Sequence, residues 1–158
     1  MDLVDYKTHV RELYEALGPR YVDLYLREGA LAYLGFLETH RARGSSVLDV
    51  GCGVGVGAGL ISGIAKRFVC LDIACGVLRF PKSLPWVDVV CADGALPPVR
   101  PGSVDYALLV NVVNAEGDGA DVLRGVLGLG AVVFAVSPRD VDNELIRAMT
   151  HWLIYPAT

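Results

Sequence analysis

The chain has 158 residues, 53% of them hydrophobic and 20% charged, with 18 glycines, four cysteines and a formal charge of −4. A chain of this length buries roughly 68–70% of its unfolded surface on folding, so neither disulfides nor metal are needed to make a core, and one domain over 1–158 is expected. Basic residues pair only at Arg41/Arg43, Lys66/Arg67 and Arg79/Lys82, too sparsely for a nucleic-acid surface.

The longest apolar stretch, 125–136, is broken by glycine and falls short of the ~20 residues that span a membrane. The first residues carry acid, Asp2 and Asp5, where a signal peptide carries base, so a cytoplasmic protein is expected. The cysteines, at 52, 70, 75 and 91, have no paired Cys-x-x-Cys spacing, and reduced thiols are the default in that compartment. The chain has no Gln and only three Asn, a composition that spares thermolabile amides. If two cysteines do pair, Cys70 and Cys91 are the candidates, because each stands two residues before an Asp that ends a predicted strand. His9, His40 and His151 share no ligand spacing with cysteines or acids, and no metal is assigned.

Residues 1–44 read as a helical segment. Apolar positions recur at helical spacing over 3–41, with Gly18-Pro19 as a stop between two helices. Tyr6, Tyr14, Tyr21 and Tyr25 fall on that stripe, which predicts core packing, with an aromatic lid as the alternative. From Ser46 the pattern changes to short apolar runs bounded by Gly, Asp or Pro, at 47–50, 68–71, 87–91, 104–110 and 131–136. Near-continuous apolar strands suit a sheet covered on both faces. Crossovers are available at 56–65, 75–80 and 119–127, whereas Pro97, Pro98 and Pro101 make 93–103 a loop. A last helix is expected over 141–153. The alternation predicts an α/β, three-layer, doubly wound and mainly parallel sheet of about five strands over 45–158. Its exposed edge invites pairing with a second copy or another chain.

The informative segment is 47–59, where a strand runs into Gly51, Gly53, Gly55, Gly57 and Gly59 before a helix. Glycines there let backbone approach a ligand closely, although such a turn also serves packing. Asp72 closes the second strand, where a carboxylate can accept from both hydroxyls of an adenosine ribose. Asp93 follows the third. With Asp49, three acids fall at successive strand ends, on the edge where open α/β sheets bind ligands. A cationic or hydroxyl-rich ligand would account for that clustering; singly, each Asp could merely cap the next helix.

Over about residues 45–138 the chain resembles the class I S-adenosylmethionine-dependent methyltransferases. Asp49-x-Gly51-x-Gly53-x-Gly55 is similar to the family's acid-x-Gly-x-Gly-x-Gly motif, Asp72 to its second-strand acid, and Asp93 to its third-strand Asp. Leu96-Pro97, the run from Gly102 to Tyr106 and the run from Leu123 to Leu127 resemble its later motifs. The resemblance implies a Rossmann-like core that binds S-adenosylmethionine and releases S-adenosylhomocysteine. Asp72 would hold the ribose, Ile73 would lie against adenine and Asp93 would meet the adenine amine. The full cofactor set it implies is Asp49, Gly51, Cys52, Gly53, Gly55, Asp72, Ile73, Asp93, Gly94 and Asn111. On packing grounds alone Cys52 reads as a small buried residue, and Asn111 and Asn114 as loop asparagines.

The chain departs from the family where Pro98 replaces an aromatic, and where the run Asn111 to Asn114 replaces the Asn/Asp-Pro-Pro-aromatic motif of nucleobase methylation. It also ends after a fifth strand and one helix, whereas the family has seven strands, so the substrate-side edge is expected to be absent or supplied by a partner. The leading reading is a methyltransferase acting on a small molecule or protein, with no catalytic side chain named, since alignment supplies most of such a transfer. Two rivals remain: a non-catalytic methyltransferase-like subunit supporting a partner, and an NAD(P)-dependent oxidoreductase, since Gly53-x-Gly55-x-x-Ala58 also satisfies the dinucleotide fingerprint.

Overall fold

The structure is a computed structural model that describes residues 3–17, 20–113 and 117–136, with the side chains of 3, 20–25 and 27–28 excepted. Two helices come first, α1 (Leu3–Leu17) and α2 (Arg20–Thr39), on either side of the predicted stop. The sheet elements follow in alternation: β1 (Ser46–Val50), α3 (Val56–Ile61), β2 (Arg67–Asp72), a 3-10 turn (Cys75–Leu78) running into α4 (Arg79–Lys82), β3 (Val87–Cys91), β4 (Tyr106–Val110), α5 (Gly119–Leu127) and β5 (Val132–Val136). The helix expected over 141–153 lies outside the described residues.

All four strand pairings are parallel and the order is β3-β2-β1-β4-β5. The chain winds outward from β1 through β2 to β3, then returns to place β4 on the other side of β1. A crevice opens at the carboxyl ends of β1 and β4, the point of reversal where such sheets bind ligands.

Both faces of the sheet are covered. On one, Val47, Phe68, Leu108 and Phe134 pack against Tyr33 and Phe36 of α2 and Ala58 and Ile61 of α3. On the other, Leu48, Val50, Leu71, Leu109 and Val133 pack against Val122, Leu123 and Val126 of α5. Phe36, wholly buried, meets Phe134 and Tyr106 edge to face at 5.5 and 5.3 Å between ring centres, and burying a ring of that size contributes roughly 1.5–3 kcal/mol. β3 departs from the two-sided pattern. Asp88 and Cys91 are exposed and its valines half-buried, because the four-residue α4 is too short to cover an edge strand.

The cysteine expectations are corrected. Cys75 and Cys91 form a disulfide, with Cα atoms 5.1 Å apart, while Cys70 and Cys52 are free and buried. Cys70 lies beside Val89 in the β2–β3 register and faces the core, whereas Cys91 lies beside Asp72 at the strand end, where the turn after β2 brings Cys75 back over the edge.

Candidate active site

Gly51 sits at the carboxyl end of β1, at φ +72°, and a Cβ there would lie 2.5 Å from Val112 Cγ2. Only glycine fits, because the backbone must take the left-handed region and the turn after β1 lies hard against Val112 in the segment after β4. That second segment turns at Asn111, itself at φ 59° and held by its N–H donating to the Val136 carbonyl at 2.7 Å. Asparagine is among the few non-glycine residues that tolerate this conformation.

Asp72 ends β2 and organises the loop. Its Oδ2 accepts the Gly53 N–H and its Oδ1 the Ala74 N–H, both at 2.8 Å. Each oxygen keeps a further lone pair. Burial pushes the carboxyl up from its ordinary value, and hydrogen bonds from Ala74, Gly53 and Ile73 oppose that shift. Asp93, after β3, accepts the Ala95 N–H on Oδ1 at 2.9 Å and the Lys7 ammonium of α1 on Oδ2. Lys7 also pairs with Asp118, just before α5, at 3.4 Å. Burial works against the charge on Lys7, but its bonds to Asp93 and attraction to both acids hold its pKa above the ordinary value.

These residues line one cleft that opens to solvent. Gly51, Gly53, Asp72, Ile73, Asp93, Gly94 and Asn111 of the expected set all face it, joined by Tyr6, Lys7, Val10 and Tyr14 of α1, by Val112, and by Asp118 and Val122. Tyr6 and Tyr14 are half-buried and wall the cleft, so of the two readings of the tyrosine stripe the lid position fits them; the side chains of Tyr21 and Tyr25 lie outside the described ones, as does Asn114.

Three expected residues sit elsewhere. Asp49 does not converge with Asp72 and Asp93 on the cleft. Strand alternation turns it toward α2, where it is wholly buried and the Tyr33 hydroxyl shares its one proton between the two carboxyl oxygens, at 2.9 Å from Oδ2 and 3.1 Å from Oδ1. Burial pushes its carboxyl up to about 8, with the Tyr33 bond opposing and Asp72 adding to the rise. A Cβ on Gly57 would run into the Tyr33 ring and Asp49 Oδ2, so the glycine that opens α3 is required by this pair. Gly55 packs against Pro81. Cys52 lines a smaller cavity beside Tyr33 and Asn111, and its thiol is pushed well up by a hydrogen bond with Cys70 and by burial, leaving it neutral and inert.

Lys7, Asp118, Tyr33 and Val112 were not expected from sequence. Lys7 and Tyr33 carry no local signal, because their partners lie 86 and 16 residues away. Asp118 could have been found as an acid just ahead of the predicted fifth helix.

Glycine-lined backbone, an acid at the end of the second parallel strand and a cleft at the reversal point together define a Rossmann-like domain, with its cleft where folds of this class take nucleotide cofactors. Residues 48–128, half of the chain, match the family described as Methyltransferase domain. The chain belongs to that family. It is 32% identical over 106 residues to a probable S-adenosylmethionine-dependent methyltransferase of Mycolicibacterium smegmatis, a match covering 65% of this chain and 41% of that protein. The chain therefore spans about two fifths of the length of that curated relative. Among solved structures it resembles DhpI in its complex with SAM and HEP (TM-score 0.69, 20% identity, 94% of this chain and 72% of that one). It also resembles a chain of the complex between the Haloferax volcanii Trm112 methyltransferase activator and a methyltransferase (TM-score 0.67, 16% identity, 77% and 58%). These likenesses show the fold. Among the described residues no helix is long and apolar enough to cross a membrane, and no three His, Cys, Asp or Glu side chains gather as metal ligands.

Proposed function

We propose that the protein is an S-adenosylmethionine-dependent methyltransferase acting on a small molecule or a protein side chain. The observation that carries this reading is Asp72. Both of its oxygens are fixed by backbone donors, the residue lines the cleft beside Gly51 and Gly53, and a vicinal diol can use the lone pairs that remain. Asp72 would hold the ribose, Ile73 and Asp93 the adenine end, and the backbone at Gly51 to Gly53 the methionine end. When bound, the sulfonium supplies an electrophilic methyl group for in-line displacement. The chain's own part is alignment and exclusion of water, for which Tyr6, Val10, Tyr14 and Val112 provide apolar walls. A small acceptor is favoured by the walled cleft. A partner chain is the second reading, supported by the fold shared with a methyltransferase seen with its activator.

Calorimetry with S-adenosylmethionine, with a nicotinamide dinucleotide, and with the Asp72→Ala variant tests the reading. The parent binds the sulfonium cofactor, and the variant binds it at least about tenfold more weakly, since hydrogen bonds to a charged acceptor are worth roughly 1.5–3 kcal/mol. Binding of the dinucleotide alone overturns the proposal. Tight cofactor binding without methyl transfer to any acceptor favours the supporting-subunit reading.

A further inference from the structure

We infer that Lys7 is a positioning residue that pins α1 across the cleft, so that α1 serves as a cover whose release sets how fast a bound cofactor leaves; the cofactor part rests on the function proposed above. None of the α1 residues with a described side chain is buried. The stripe Tyr6, Val10 and Tyr14, at successive helical turns, is only half-buried because what it faces is the cleft and not a packed wall. A helix gains most of its stability in a protein from burying one face, so α1 lacks the usual anchor. At its other end, Glu15 touches the 3-10 turn, lying 3.5 Å from where a Cβ on Gly76 would stand.

Lys7 supplies a polar anchor to the body of the domain. The Lys7 ammonium meets Asp93 after β3 and Asp118 before α5, and the three side chains are only 17–31% exposed. The two carboxylates belong to neighbouring segments, since Gly94 packs so closely on Val122 that a Cβ there would sit 3.1 Å from its Cγ1. Without the ammonium they would repel each other. Partial burial of the cluster makes it stronger than an exposed pair, while its remaining solvent contact keeps it open to screening by salt. A cofactor that fills the cleft adds apolar contact to the α1 stripe that lines it, so occupancy and the Lys7 cluster close the same helix together.

The experiment compares the parent, Lys7→Met and Lys7→Arg by amide hydrogen exchange without ligand, and by the dissociation rate of S-adenosylhomocysteine at low and high salt. In Lys7→Met, exchange rises within 3–17 while the strands keep their protection. Dissociation quickens by about three- to tenfold and loses its salt dependence. Lys7→Arg restores both. Equal exchange of α1 in the parent and Lys7→Met overturns the latch, whether or not any cofactor binds. So does a loss of protection spread evenly over the sheet, which marks a general loss of stability. A normal latch signal in a parent that binds no S-adenosylhomocysteine keeps the pinning of α1 and overturns its coupling to the cofactor.

Discussion

Asp49 shows how one side chain can look like part of a binding site and serve the fold. It stands in the acid-x-Gly-x-Gly-x-Gly run, yet alternation along β1 turns it away from the cleft and into contact with Tyr33, 16 residues earlier. Its folded pKa of about 8, raised by burial above the ordinary 3.8, means that between about pH 4 and 8 the folded chain holds a proton that the unfolded chain has released. The stability contributed by that proton is present below pH 4 and is lost as pH rises through 8. Asp72, also raised, works in the same direction. Thermal unfolding at pH 5, 6.5 and 8 should therefore show the parent losing more stability across that window than Asp49→Asn, whose side chain cannot ionise. Equal losses would contradict the assignment. Asp72, Asp93 and the glycines were legible in sequence because each stands at a strand end, a position fixed by local pattern. Tyr33 and Lys7 were not, because tertiary packing decides what a helix residue meets across the chain.

Among elements, the strands and the principal crossovers were readable from apolar runs and their Gly, Asp and Pro boundaries, and the proline-rich stretch after Asp93 is the loop its missing donors require. The cysteine pairing was not readable. It depends on the β2–β3 register and on the turn that follows β2, neither of which leaves a periodic trace. The Cys75–Cys91 bridge closes a loop with a sequence separation of 16 and clips the turn that carries Ile73 and Ala74 onto edge strand β3. A closure of that length is worth about 3 kcal/mol in the chain-entropy account, so reduction, or Cys75→Ser, should lower the melting temperature by roughly 6–12 °C. Calorimetric scans with and without a dithiol reductant check this, and a shift below about 2 °C would show that the bridge adds little to the edge.

Across the whole molecule, strand-crossover alternation specified the α/β class, and the order β3-β2-β1-β4-β5 places the cleft where the winding reverses. What the alternation could not show is that α1, ahead of the sheet in the chain, returns to wall that cleft. If Asp72 and the glycine turn form the ribose end of a cofactor site, a crystal structure with S-adenosylhomocysteine will show it. The predicted result is both ribose hydroxyls within about 3 Å of the Asp72 oxygens, with adenine between Ile73 and Asp93. A ligand seated elsewhere, with the Asp72 carboxylate meeting only Gly53 and Ala74, would contradict it.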